Sequence, residues 1–168
     1  MPNSLRPPLV RKNGSGESTE SRVARALSHF QRGRYVLASA FEDERGGTAV
    51  EWVHQCCTQP PMVAVSLRKG HAIEQLIRDS GAFSVAEVST ASMLVQKTFA
   101  STRIPDEDLD QFDALPHTTL TTGSPILMHC TFVVDCVMVR HIDLEDEYEM
   151  YVGRVVDAIA LSRLPLPL

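Results

Sequence analysis

Six β-rich runs, separated by turn residues rather than alternating regularly with helices, limit most sharply what this chain can fold into. Tyr35 to Phe41, Thr48 to Cys57, Met62 to Leu67, Ala82 to Val88, Ile126 to Met138 and Tyr148 to Ala160 are rich in side chains that suit a pleated surface. Between them, Glu42 to Gly47 predicts a hairpin across the Gly46-Gly47 pair, Gln59-Pro60-Pro61 a break, and Asp143 to Glu147 an acidic hairpin loop. Met62 to Leu67 is nearly continuous apolar text, as expected for a strand buried on both faces. Helical spacing marks three stretches. Val23, Ala24, Leu27 and Phe30 recur within Thr19 to Gln31; Ile73, Leu76 and Ile77 stripe a segment that Gly81 ends; Ala91 to Phe99 is the third. The pattern predicts a mainly β fold with a few helices, a mostly antiparallel barrel rather than a doubly wound sheet.

The 168 residues, 43% of them apolar, suffice for one ordinary core. Residues 1 to 18 are expected to form a polar, disordered tail and 19 to 168 the domain, because Asn13 to Ser18 is a Gly/Ser/Asn cluster that ends the polar text. A formal charge of −5 without a basic block argues against nucleic acid as a partner. Met1 to Ser21 contains no apolar run, so neither a secretory signal nor a membrane span is predicted, and a cytoplasmic location is the expectation. Cys56, Cys57, Cys130 and Cys136 are expected to be buried free thiols, and the six histidines show no metal-binding spacing. Pro105 to Leu120 is acidic without the spacing of a calcium loop and predicts a solvated surface segment. Neither G-x-G-x-x-G after a strand nor G-x-x-x-x-G-K-[ST] occurs, so any nucleotide must be held by other means.

Three stretches carry a resemblance. The first is Glu51-Trp52-Val53-His54-Gln55-Cys56-Cys57-Thr58-Gln59-Pro60-Pro61. The second runs from Val63-Ala64-Val65-Ser66-Leu67-Arg68-Lys69 through Ala72 to Ile77 and on to Ser80-Gly81-Ala82-Phe83-Ser84-Val85. The third is Gly123-Ser124-Pro125-Ile126-Leu127, then Asp135-Cys136 and Gly153-Arg154-Val155. In this order they resemble the flavin reductase-like proteins of the FMN-binding split-barrel type, including the reductase module of diflavin flavoproteins.

The resemblance implies a split β-barrel and FMN, or FAD, held at a homodimer interface. The residues it implicates are Ala49, Val50, Glu51, Trp52, Gln55, Ser66, Leu67, Arg68, Lys69, Ala72, Ile73 and Tyr148. Arg68-Lys69-Gly70 before a helix would suit a phosphate, because cations and the positive end of the helix dipole meet there. Trp52 and Gln55 would offer the flavin ring an aromatic wall and an amide. Relatives often carry small hydroxyl or amide side chains where this chain has Ala49 and Glu51, and an Asp-His pair where it has Glu147 and Tyr148. The implied activity is that of an NAD(P)H:flavin oxidoreductase, with hydride passing from nicotinamide to FMN. Two alternatives stand beside it: an FMN electron carrier that serves an accepting protein and lacks its own nicotinamide site, and a split-barrel binding module that has lost flavin.

Overall fold

The computed structural model describes residues 18–89, 92–100, 110–128 and 130–160. The predicted tail up to residue 17, the acidic stretch 101–109 and the C-terminal residues 161–168 lie outside the described residues. The described residues divide into two units, one ending at Gln31 and the other beginning at Arg32. In the first, helix α1 (Thr19–Leu27) starts at Ser18, whose hydroxyl accepts the Ser21 N–H at 3.1 Å. It stops short of the predicted Gln31. The N–H groups of His29 and Phe30 turn back to the carbonyls three residues earlier, at 3.2 and 3.1 Å, so the last turn tightens and the helix does not continue.

The second unit holds β1 (Tyr35–Phe41), β2 (Glu44–Val50), β3 (Val53–Thr58), β4 (Pro61–Arg68), α2 (Ile73–Ser80), β5 (Ala82–Glu87), α3 (Met93–Thr98), β6 (His117–Thr119), β7 (Pro125–Leu127), β8 (Phe132–Asp143) and β9 (Tyr148–Ala160). Seven strands form one sheet in the order β2-β1-β5-β8-β9-β4-β3, and β6 with β7 forms a separate ribbon. Every pairing is antiparallel. The sheet stays open, yet it curls far enough for β2 to touch β4. Inside the curl, Leu37, Val65, Phe83, Val85 and Tyr151 pack with Ile73 and Ile77 of α2. Outside β1, Val36 and Ala38 meet Val95, Phe99 and Phe112, which explains why β1 is apolar on both faces. No helix among the described residues is long and apolar enough to cross a membrane.

Three predicted strand limits need correction. The first hairpin closes at Glu42-Asp43, with Phe41 facing Glu44 and Glu42 at φ 53°, and not across the glycine pair. Gly47 instead lies within β2, where a Cβ would come within 2.8 Å of the Phe99 ring. Close packing, not a turn, demands glycine there. Thr48 to Cys57 is two strands, because the chain bends at Glu51-Trp52; there the Gly33 N–H donates to the Glu51 carbonyl and the Ser66 N–H to the Trp52 carbonyl, both at 3.0 Å. Ile126 to Met138 also divides, since Met128 and Thr131 send their N–H groups to Pro116 and Glu87 rather than along one ladder. The predicted Gly81 stop is present as a left-handed cap, φ 65°, whose N–H donates to the Ile77 carbonyl at 3.0 Å.

Candidate functional site

The bend at Glu51-Trp52, the end of β4 and the start of β9 converge on a cleft of about 390 Å³. Thr48, Ala49, Val50, Glu51 and Trp52 line one side, Ser66 to His71 another, and Tyr148 closes it. Nine of the twelve residues expected from sequence are therefore brought together: Ala49, Val50, Glu51, Trp52, Ser66, Leu67, Arg68, Lys69 and Tyr148. The other three stand apart. Ile73 is 1% exposed in the core beneath α2, and Ala72 is an exposed residue at the start of that helix. Gln55 lines a different cavity, with Tyr35, Val63 and Phe132, and its side-chain N–H donates to the Cys57 carbonyl at 3.1 Å.

Trp52 is 37% exposed and packs edge-on against Tyr148 with centroids 5.4 Å apart. The Arg32 guanidinium sits 5.4 Å from the Trp52 centroid, and Arg32 also pairs with Glu51 at 3.4 Å. The carboxylate that sequence alone would set against an anion is thus turned to a cation. Arg68 pairs with Glu147 at 3.3 Å, and Lys69 binds Asp143, whose carboxyl it holds below the usual carboxylate range. The first pair lies at the water-facing rim, its Arg68 and Glu147 side chains 68% and 63% exposed, and in the second Asp143 is 59% exposed and Lys69 32%. Such pairs contribute about 0 to 1 kcal/mol, so an incoming anion can displace the carboxylates.

Sequence reasoning missed Thr48, and it took Gly70 and His71 only as part of the turn between Ser66 and Ile73. Gly70 adopts φ 86°, the left-handed conformation that turns β4 toward α2. His71 starts the helix as a serine usually would. Its Nδ1 accepts the Ile73 N–H at 3.4 Å while the Glu74 carboxylate accepts the His71 N–H at 2.8 Å, a reciprocal cap that the spacing of His71 and Glu74 could have revealed. Thr48 is 1% exposed, and its hydroxyl is the one buried side-chain oxygen or nitrogen among the described residues with no hydrogen-bond partner. No sequence signal distinguishes it from an ordinary strand threonine.

Burial lowers the His71 pKa below its ordinary 6.5, against the opposing pull of Glu74. The unfolded imidazole therefore binds a proton before the folded one does. The stability that this neutral cap contributes is complete above pH 6.5 and is lost as pH falls below it. Urea midpoints taken on either side of that value should fall on acidification in the parent chain and fall less in His71→Asn, which keeps an acceptor without titrating. Equal slopes would contradict the cap.

Residues 27–167 match the family model of the flavin reductase like domain. The chain is 24% identical over 150 residues to diflavin flavoprotein A 1 of Synechocystis sp., covering 87% of this chain and 26% of that protein. It therefore spans about a quarter of the length of that relative. It is 27% identical over 140 residues to a ferric-chelate reductase (NAD(P)H) of Archaeoglobus fulgidus, covering 82% of this chain and 80% of the relative. Among solved structures, the NADH:FAD oxidoreductase of Streptomyces globisporus C-1027 superposes with a TM-score of 0.73 at 18% identity, covering 96% of this chain and 89% of the other. With the antiparallel open sheet and the family match over most of its length, this chain belongs to the flavin reductase-like family and has its split-barrel fold.

Proposed function

We propose that the cleft binds flavin, with FMN as the first choice and FAD as the alternative, and that the protein is an NAD(P)H:flavin oxidoreductase. The observation that carries this reading is the buried, unpartnered hydroxyl of Thr48, a residue that lines the same cleft as Arg68 and Lys69. A buried hydroxyl without a partner costs about 1 to 3 kcal/mol, a cost that a ligand oxygen would remove. Flavin, when bound, supplies hydride chemistry between nicotinamide and an acceptor. The chain's own groups do the rest. Arg68 and Lys69 exchange Glu147 and Asp143 for a phosphate, Trp52 and Tyr148 form an aromatic wall that excludes water, and Arg32 keeps the Glu51 charge compensated. Trp52 is 37% exposed, which leaves part of the wall for a second subunit to complete, and the proposal therefore includes a homodimer with flavin between the subunits.

A second reading, an FMN electron carrier serving an accepting protein, is favoured by one contact. Tyr148 packs against Trp52 at the position where relatives often place His, so an imidazole is missing from this wall.

Thr48→Val tests the site with two readouts of opposite sign. Losing the orphaned hydroxyl should raise the stability of the flavin-free protein by about 1 kcal/mol while weakening FMN binding several-fold. Trp52, the chain's single tryptophan, reports the binding through quenching of its fluorescence. A variant that is stabilised but binds FMN unchanged would remove Thr48 from the site.

A further inference from the structure

All four cysteines are free, and they fall into two kinds. Cys130 and Cys136 are buried, and burial pushes the Cys136 thiol up to about 12 and Cys130 in the same direction. The expectation of buried thiols fails for the other two: Cys56 is exposed and Cys57 half-buried, because both lie on β3, an edge strand of the main sheet.

Adjacent side chains of a regular strand leave on opposite faces, so neighbouring thiols could not grip one atom. At this point β3 is irregular. Gln55 pairs with Val63 and Cys57 with Met62, so one step along β4 answers two along β3, and Cys56 is the extra residue of a bulge. Val63 and Met62 are consecutive and face opposite ways; Gln55 and Cys57 must therefore do so too, although they are two residues apart. Cys56 is freed from the alternation that would set it against Cys57.

We propose that Cys56 and Cys57 form a vicinal dithiol site that captures a trivalent thiophilic metalloid, with arsenic(III) as the chemical type. Soft thiolates favour soft centres, and an organoarsenic(III) oxide has two exchangeable bonds, one for each thiol. The reaction is a condensation: two As–S bonds form, the As–O bonds break, and the two thiol protons leave with that oxygen as water. No electrons move, so neither oxidant nor reductant is required. The site is separate from the cleft, whose lining includes neither cysteine.

Phenylarsine oxide added to the full chain in excess monothiol tests the site. The expected result is one equivalent bound, with Cys56 and Cys57 protected together from alkylation and the arsenical released by a small dithiol. Cys56→Ser and Cys57→Ser should each bind about 100-fold more weakly, because the second bond loses its effective concentration, whereas Cys130→Ser should bind unchanged. Peptide mass mapping of the alkylated parent chain reads the pair without any substitution. Protection of one cysteine alone, or full binding by either edge-strand serine variant, would overturn the proposal.

Discussion

Replacing Arg68 and Lys69 together with alanine should weaken FMN binding about 100-fold, which is ~2.7 kcal/mol, while leaving the fold intact. A hydrogen bond to a charged group contributes about 1.5 to 3 kcal/mol when well formed, and two at a water-facing rim should fall near the lower end of their sum. The fold should survive because the ion pairs lost are superficial. Arg68 and Glu147 are 68% and 63% exposed, a setting in which a pair contributes about 0 to 1 kcal/mol. Glu147→Gln, at the partner of Arg68 beside the cleft, should act in the opposite direction and tighten FMN a few-fold, since it removes the carboxylate that competes for Arg68. Titrations followed by Trp52 fluorescence, alongside urea unfolding of each variant, separate binding from stability. Unchanged affinity in the double variant would sink the phosphate assignment; a large loss of stability would mean that the pairs are structural.

The second large effect concerns the fold. Gly153 lies in β9 between Val63 of β4 and Met138 of β8, and a Cβ there would stand 2.5 Å from the Phe83 ring and 2.7 Å from the Cys136 Cβ. Phe83 and Cys136 are both 0% exposed, so neither has space to retreat. Gly153→Ala should therefore cost about 3 kcal/mol, the upper part of the range for overpacking a dense core. The thermal midpoint should fall by about 6 to 12 °C. Adding Phe83→Leu should recover part of the loss, because the two changes share one volume and cannot be additive. A Gly153→Ala protein as stable as the parent would contradict the packing.

How legible the molecule was in its sequence depended on whether the signal was local. Tyr35 to Phe41 carries its strand in its own residues, and Gly81 its helix stop; both appear where expected. The glycine pair misled because glycine has two uses. Gly46-Gly47 reads as a turn by composition, whereas Phe99, more than fifty residues away in the chain, requires the missing side chain at Gly47. The same distinction applies to the cleft. Its lining from Ala49 to Trp52 and from Ser66 to Lys69 follows from strand order within a known family pattern. That Glu51 turns to Arg32, that Glu147 and Asp143 hold the two cations, and that Gln55 belongs to another cavity all depend on how distant strands approach each other. Thr48 was invisible for a further reason: an unpaired hydroxyl is defined by what does not surround it.

A reductase of the proposed kind must hold flavin in the cleft and present it to nicotinamide. The most direct test is to add FMN to the purified protein, desalt it, record the visible spectrum, and then add NADH or NADPH without oxygen. Flavin that is retained, quenches Trp52 and then loses its visible absorption on adding either nicotinamide is the predicted result. Retained flavin that stays oxidised would replace the reductase reading with the electron carrier, and a protein that neither retains nor titrates flavin would rule out a flavin site in the cleft.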